Sequence, residues 1–93
     1  MIFIFLPRLL NGVKLSLYSL KKILFQGNAE LLNCKTMAGE ITVLDNHEPY
    51  IGVMTKGVAR IIDESKKEHF FEVKSGFIQV SKGSEVRCII QEA

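Results

Sequence analysis

Cysteine and histidine are scarce in this chain, two of each in 93 residues, and tryptophan is absent. Cys34 and Cys88 stand 54 positions apart, a separation that suits neither a zinc site nor a disulfide framework. Each lies in an apolar run, where a reduced thiol packs as a small hydrophobe. Both are therefore expected to be buried, unpaired and inert. The sequence gives no sign that His69 converges on His47, and Asp45, His47 and Glu48 alone make a poor ligand set. No metal and no cofactor are expected. A G-x-S-x-G elbow, a P-loop and a G-x-G-x-x-G loop are all missing, so neither a nucleophilic hydrolase nor a self-contained nucleotide site has sequence support.

An excess of one charge is missing too. Twelve Lys and Arg face ten Asp and Glu, a net of +2 with a pI near 8.6. Nucleic-acid binding calls for a basic stripe interleaved with aromatics, and none is present. Lys21-Lys22 and Lys66-Lys67 come only as pairs, the pattern of solvated turns and edges. No apolar run approaches the ~20 residues of a membrane span. The stretch MIFIFLPRLLNG opens with an apolar run at 2–6 that Pro7 interrupts and no basic region precedes. Residues 1–12 are set apart as an atypical N-terminal extension, an edge segment or tail, and 13–93 as one domain.

What is present is alternation. Val13, Leu15 and Leu17 interleave with Lys14, Ser16 and Tyr18, the period of two of a half-buried strand. The same pattern returns in Val58-Arg60-Ile62, in Phe71 and Val73, and through Val86, Cys88 and Ile90. Turn signals punctuate it at Gln26-Gly27-Asn28, Ala38-Gly39, Asp45-Asn46, Lys56-Gly57, the polar run 63–68, Ser75-Gly76 and Lys82-Gly83-Ser84. With no apolar face sustained at helical spacing, this predicts an all-β antiparallel sandwich or flattened barrel of about eight to ten short strands. The candidates are 13–19, 22–26, 29–35, 41–44, 49–54, 57–63, 68–74, 76–81 and 85–91.

One stretch, AGEITVLDNHEPY at 38–50, concentrates polar groups. Asp45 and Asn46 suit a turn because each hydrogen-bonds its own backbone and tolerates left-handed geometry. Pro49 removes a donor and biases Glu48 toward an extended exit. His47 and Glu48 are left displayed on a shaped loop, a common setting for binding.

That stretch resembles the epsilon subunit of F-type ATP synthases, in which a glycine-acidic turn leads through a short strand to a Pro-Gly-His-Ala-Pro-Leu loop. Gly39, Glu40, Val43, Leu44, His47 and Pro49 stand at matching positions, while Asp45-Asn46 replaces Pro-Gly. HFFEVKSGFIQVSKGSEV at 69–86 is similar to the family's second block. Lys56-Gly57-Val58 resembles its Pro-Gly turn, and Phe25-Gln26-Gly27 the Phe-x-Gly that closes its first hairpin. The resemblance covers 13–90.

It implies a non-catalytic rotor component of the central stalk, docked on the gamma subunit and the c ring, with partner contacts at Glu40, His47 and Ser19. It also implies peripheral association on the cytoplasmic side of an energy-coupling membrane, a bacterial plasma membrane. Family members often continue into a C-terminal two-helix hairpin that binds ATP in some bacteria or inhibits. The sequence given ends at Ala93, before any such helix, so neither role is expected here. The alternatives are a freestanding sandwich that binds a peptide or carbohydrate, and a metal-dependent enzyme at His47.

Overall fold

The computed structural model describes residues 12–45 and 47–93. The extension assigned to 1–12 therefore lies, except for Gly12, outside the described residues, as does Asn46 of the Asp45-Asn46 turn. Seven strands and no helix make up the rest: β1 (Val13–Ser19), β2 (Ile23–Thr36), β3 (Gly39–Val43), β4 (Tyr50–Met54), β5 (Gly57–Asp63), β6 (Glu68–Ser81) and β7 (Glu85–Glu92). The all-β sandwich class is as expected. Two boundaries are not, because β2 and β6 are each one strand of 14 residues where two short ones were expected.

The long strands serve both layers. β1 pairs with the first half of β2 and, in parallel, with β7. β7 pairs with β6, whose second half pairs with β4. These make the first sheet. In the second, the last part of β2 lies between β3 and β5, and β5 pairs with the first half of β6. Register shifts at Ala29/Leu31 in β2 and Val73/Ser75 in β6 mark where each long strand turns from one sheet to the other, since an extra residue bends a strand and increases its twist.

The misplaced turn signals have a physical cause. Gly76 pairs with both Ile90 and Met54, and a Cβ there would stand 2.6 Å from the Ile89 carbonyl oxygen. The glycine is a crossing residue and not a turn. Gly27, at φ 149°, sits opposite Leu15 inside the β1–β2 ladder. The first hairpin closes instead at Leu20-Lys21, where the Ser19 amide donates to the Lys22 carbonyl at 2.9 Å.

Between the sheets lies one core: Val13, Leu15 and Leu17 of β1, Leu32 and Cys34 of β2, Ile61 of β5, Ile78 and Val80 of β6, and Val86, Cys88 and Ile90 of β7, with Val43 and Met54. Burying each large side chain contributes about 1.5–3 kcal/mol. Phe71 is half-buried against this cluster. Both cysteines are buried and free, and burial pushes the Cys34 thiol up to about 11 and the Cys88 thiol higher still. The polar run 63–68 forms the β5–β6 loop, as expected.

Candidate functional site

The three residues marked for partner contact divide between opposite ends of the sandwich. Ser19 pairs with Ile90, Ile90 with Gly76, Gly76 with Met54, and Met54 with Thr36. Ser19 and the β2–β3 tip that carries Glu40 therefore end on one transverse row. His47 lies three residues before Tyr50, at the other end of β4. The two ends are separated by about 13 Å of strand, at ~3.3 Å per residue.

Each of the three side chains has local work. Ser19 Oγ accepts from the Lys21 and Lys22 amides at 3.2 and 3.1 Å, which fixes the β1–β2 turn. Glu40 is exposed and stands opposite Lys35 in the ladder. Its tip is held by Thr36, a buried hydroxyl that donates to the Gly39 carbonyl at 2.8 Å and accepts from the Ala38 amide and the Tyr50 hydroxyl. His47 Nδ1 donates to the Glu48 carbonyl at 2.7 Å, and its amide donates to the Leu44 carbonyl. That imidazole shapes its own loop. Asp45 anchors the loop to the β6–β7 turn by accepting from Ser84 Oγ at 2.8 Å.

His69 does other work. Its Nε2 donates to Asp63 Oδ2 at 2.9 Å, while Asp63 Oδ1 accepts from Ser65 N, Ser65 Oγ and Lys67 N. The bond from His69, followed by those from the loop, holds the Asp63 carboxyl well below the usual carboxylate range. The His69 ring meets Phe25 edge-on with centroids 5.2 Å apart, which ties the β5–β6 loop to β2. Among the described residues no group of three or more His, Cys, Asp or Glu is placed to hold a metal ion.

The most extensive feature was not singled out in sequence. Tyr18, Ile89, Phe77 and Val53 are successive cross-strand partners from β1 through β7 and β6 to β4, and all four point away from the core. Phe77 is 64% exposed, Ile89 50% and Val53 40%, and Ile51 in the next row is 76% exposed. Arg87 stands beside Gln79 in that next row. An apolar band thus crosses four strands on the outer face of the first sheet. Scattered apolar side chains are ordinary on a surface, but a contiguous band marks an interaction site. The outer face of the second sheet is more polar, with the row Thr42, Asn33, Arg60 and Phe70. Asn33 donates to Thr42 Oγ1 there, and Arg60 pairs with Glu68 at 3.0 Å.

Comparison with known proteins gives a consistent result. Residues 12–93 match the family model for the β-sandwich domain of the ATP synthase delta/epsilon chain. An ATP synthase epsilon chain of Clostridium perfringens is 26% identical over 80 residues, covering 86% of this chain and 60% of that one. One from Corynebacterium efficiens is 34% identical over 71 residues, covering 75% and 57%. A chain in the cryo-EM structure of the Euglena gracilis mitochondrial ATP synthase, comprising OSCP, F1 and c-ring, superposes with a TM-score of 0.79 at 21% identity, over 85% of this chain and 50% of that one. The chain thus spans about 60% of the length of the first of these relatives.

Proposed function

The chain belongs to the delta/epsilon family of ATP synthase subunits, and from that premise we propose that it is a non-catalytic component of a rotor, docked on the gamma subunit and resting on the c ring. It would help couple ion translocation to ATP synthesis while doing no chemistry itself, on the cytoplasmic side of the membrane that holds the complex. The observation that carries this is the apolar band of Tyr18, Ile89, Phe77 and Val53. A subunit in a stalk needs a stable apolar contact with its neighbour, and the core of such a contact is aromatic and aliphatic with a polar rim. We assign this face to gamma, with Ser19 at one end and His47 at the other on its margins. The β2–β3 tip with Glu40 is assigned to the polar loops of the c ring.

No helix among the described residues is long and apolar enough to cross a membrane, and in this assignment association with the membrane runs through the complex. The test is a pull-down of the tagged chain from detergent-solubilised membranes of its own source. Recovery of gamma and c subunits is the expected result. Recovery of neither, from membranes in which the synthase is intact, would overturn the assignment.

A further inference from the structure

On the outer face of the first sheet, the row next to the apolar band runs through Gln26, Ser16, Arg87, Gln79 and Ile51, across β2, β1, β7, β6 and β4. Arg87 is its middle member. With two strands on either side, about 10 Å of sheet at ~4.8 Å per strand separates it from each margin. Along β7 it stands two residues from Ile89 of the band, about 7 Å at ~3.3 Å per residue. Tyr18 and Phe77 are its diagonal neighbours, within reach of a long side chain. A partner as wide as a single helix, about 10 Å across its side chains, that covers the band therefore covers Arg87 as well.

The described residues hold two arginines, one on each outer face. Arg60, on the second sheet, is held by Glu68 through Nε at 3.1 Å and Nη2 at 3.0 Å. Arg87 is exposed and enters no hydrogen bond or ion pair among the described residues. Its lateral neighbours Ser16 and Gln79 are neutral, and Glu85, two residues back along β7, stands opposite Lys14. A guanidinium covered by a largely apolar contact loses its water, and without a charged acceptor that loss opposes docking. Its planar fork matches a carboxylate through two parallel hydrogen bonds. Arginine is also enriched, and lysine depleted, where interfaces are most fully covered. We propose that the gamma surface seated on the band presents a carboxylate to Arg87, and that this pair fixes the register in which the two subunits dock. The pairing rests on the assignment of this face to gamma and names the group that gamma must bring to it.

The test is the kinetics of purified gamma binding to the full 93-residue chain and its variants, at low and physiological ionic strength. Arg87→Gln should raise the dissociation rate at least roughly 30-fold, because it leaves the gamma carboxylate covered and unpaired, and should change the association rate far less. Arg87→Lys should fall between Arg87→Gln and the parent, since a point charge replaces the fork. Arg60→Gln removes a cation from the other face and should leave both rates as in the parent. Tm should match the parent for the Arg87 variants, whose exposed side chain makes no bond in the free chain. Treating the complex of gamma and the Arg87→Lys variant with a carbodiimide should join position 87 to an Asp or Glu of gamma. An Arg87→Gln variant that dissociates within about twofold of the parent overturns the proposal. An effect confined to association and erased at physiological salt makes Arg87 a rim charge and also overturns it. Weakening by Arg87→Gln with no cross-link to a gamma carboxylate assigns the guanidinium to backbone carbonyls and overturns it too. In each of these outcomes, weakening by Phe77→Ala leaves the docking face standing and only the pairing falls. If Phe77→Ala has no effect either, the face assignment falls with it, and if the parent does not bind gamma, the rotor assignment falls as a whole.

Discussion

Replacing Phe77 by alanine tests the docking face directly. A phenylalanine side chain presents roughly 200 Å², of which the 64% exposed fraction leaves about 130 Å² for a partner to cover. At ~25 cal/mol per Å² that is about 3 kcal/mol of burial, and alanine retains part of it. A loss of about 2 kcal/mol is expected, close to a 30-fold weaker Kd. Stability should change little, because the ring is already mostly in water and surface changes stay within about 0.5 kcal/mol. The control is Phe70→Ala, a ring 60% exposed on the outer face of the other sheet, which should leave binding unchanged. Calorimetric titration of purified gamma into each variant, beside a thermal melt, separates the cases. Equal weakening by both changes would indicate non-specific adhesion, and a Phe77→Ala variant that binds within twofold of the parent would refute the assigned face.

Other expectations follow from particular contacts. Gly76→Ala should cost roughly 1–3 kcal/mol, because the added methyl meets backbone atoms of Ile89 and Ile90 that have no rotamer to move; a calorimetric scan should show Tm lower by roughly 10 °C, and an unchanged Tm would mean that β6 crosses elsewhere. Asp63 has a depressed folded pKa, so the stability it contributes is present above its unfolded value near ~3.9 and is lost as pH falls below it. The Tm gap between parent and Asp63→Asn should therefore be widest above about pH 4 and close on acidification; a gap independent of pH across that range would disprove the charge-based account. Glu40→Gln removes the carboxylate opposite Lys35 and should weaken c-ring association mainly at low salt, whereas His47→Ala should lower gamma affinity by about 1 kcal/mol. If both variants bind like the parent at low and physiological salt, those side chains only shape their turns.

The alternations legible in sequence are those of strands with one face in the core. Val13, Leu15 and Leu17, or Val86, Cys88 and Ile90, identify their strands because apolar and polar residues take opposite sides. Gly27 and Gly76 misled for a physical reason: a residue without Cβ serves a tight turn and also a bend or close crossing inside a strand, and local sequence does not separate these uses. The family resemblance pointed to Ser19, Glu40 and His47 as contacts, but sequence gave no sign that two of them share one end and the third stands at the other.

Composition and periodicity by themselves determined that the chain is all-β, that Cys34 and Cys88 lie in apolar runs, and that no motif for nucleotide or metal chemistry is present. These follow from local pattern, which a strand carries along its own length. Tertiary structure alone decided that β2 and β6 each serve both sheets, and that Tyr18, Ile89, Phe77 and Val53 become neighbours on the outer face. Within their own strands Ile89 and Val53 lie in mostly apolar runs, where the inward side cannot be told from the outward one. The band exists only because the strand order β1-β7-β6-β4 brings these four residues into one row, and pairing between strands distant in sequence is set by the whole fold and not by any segment of it.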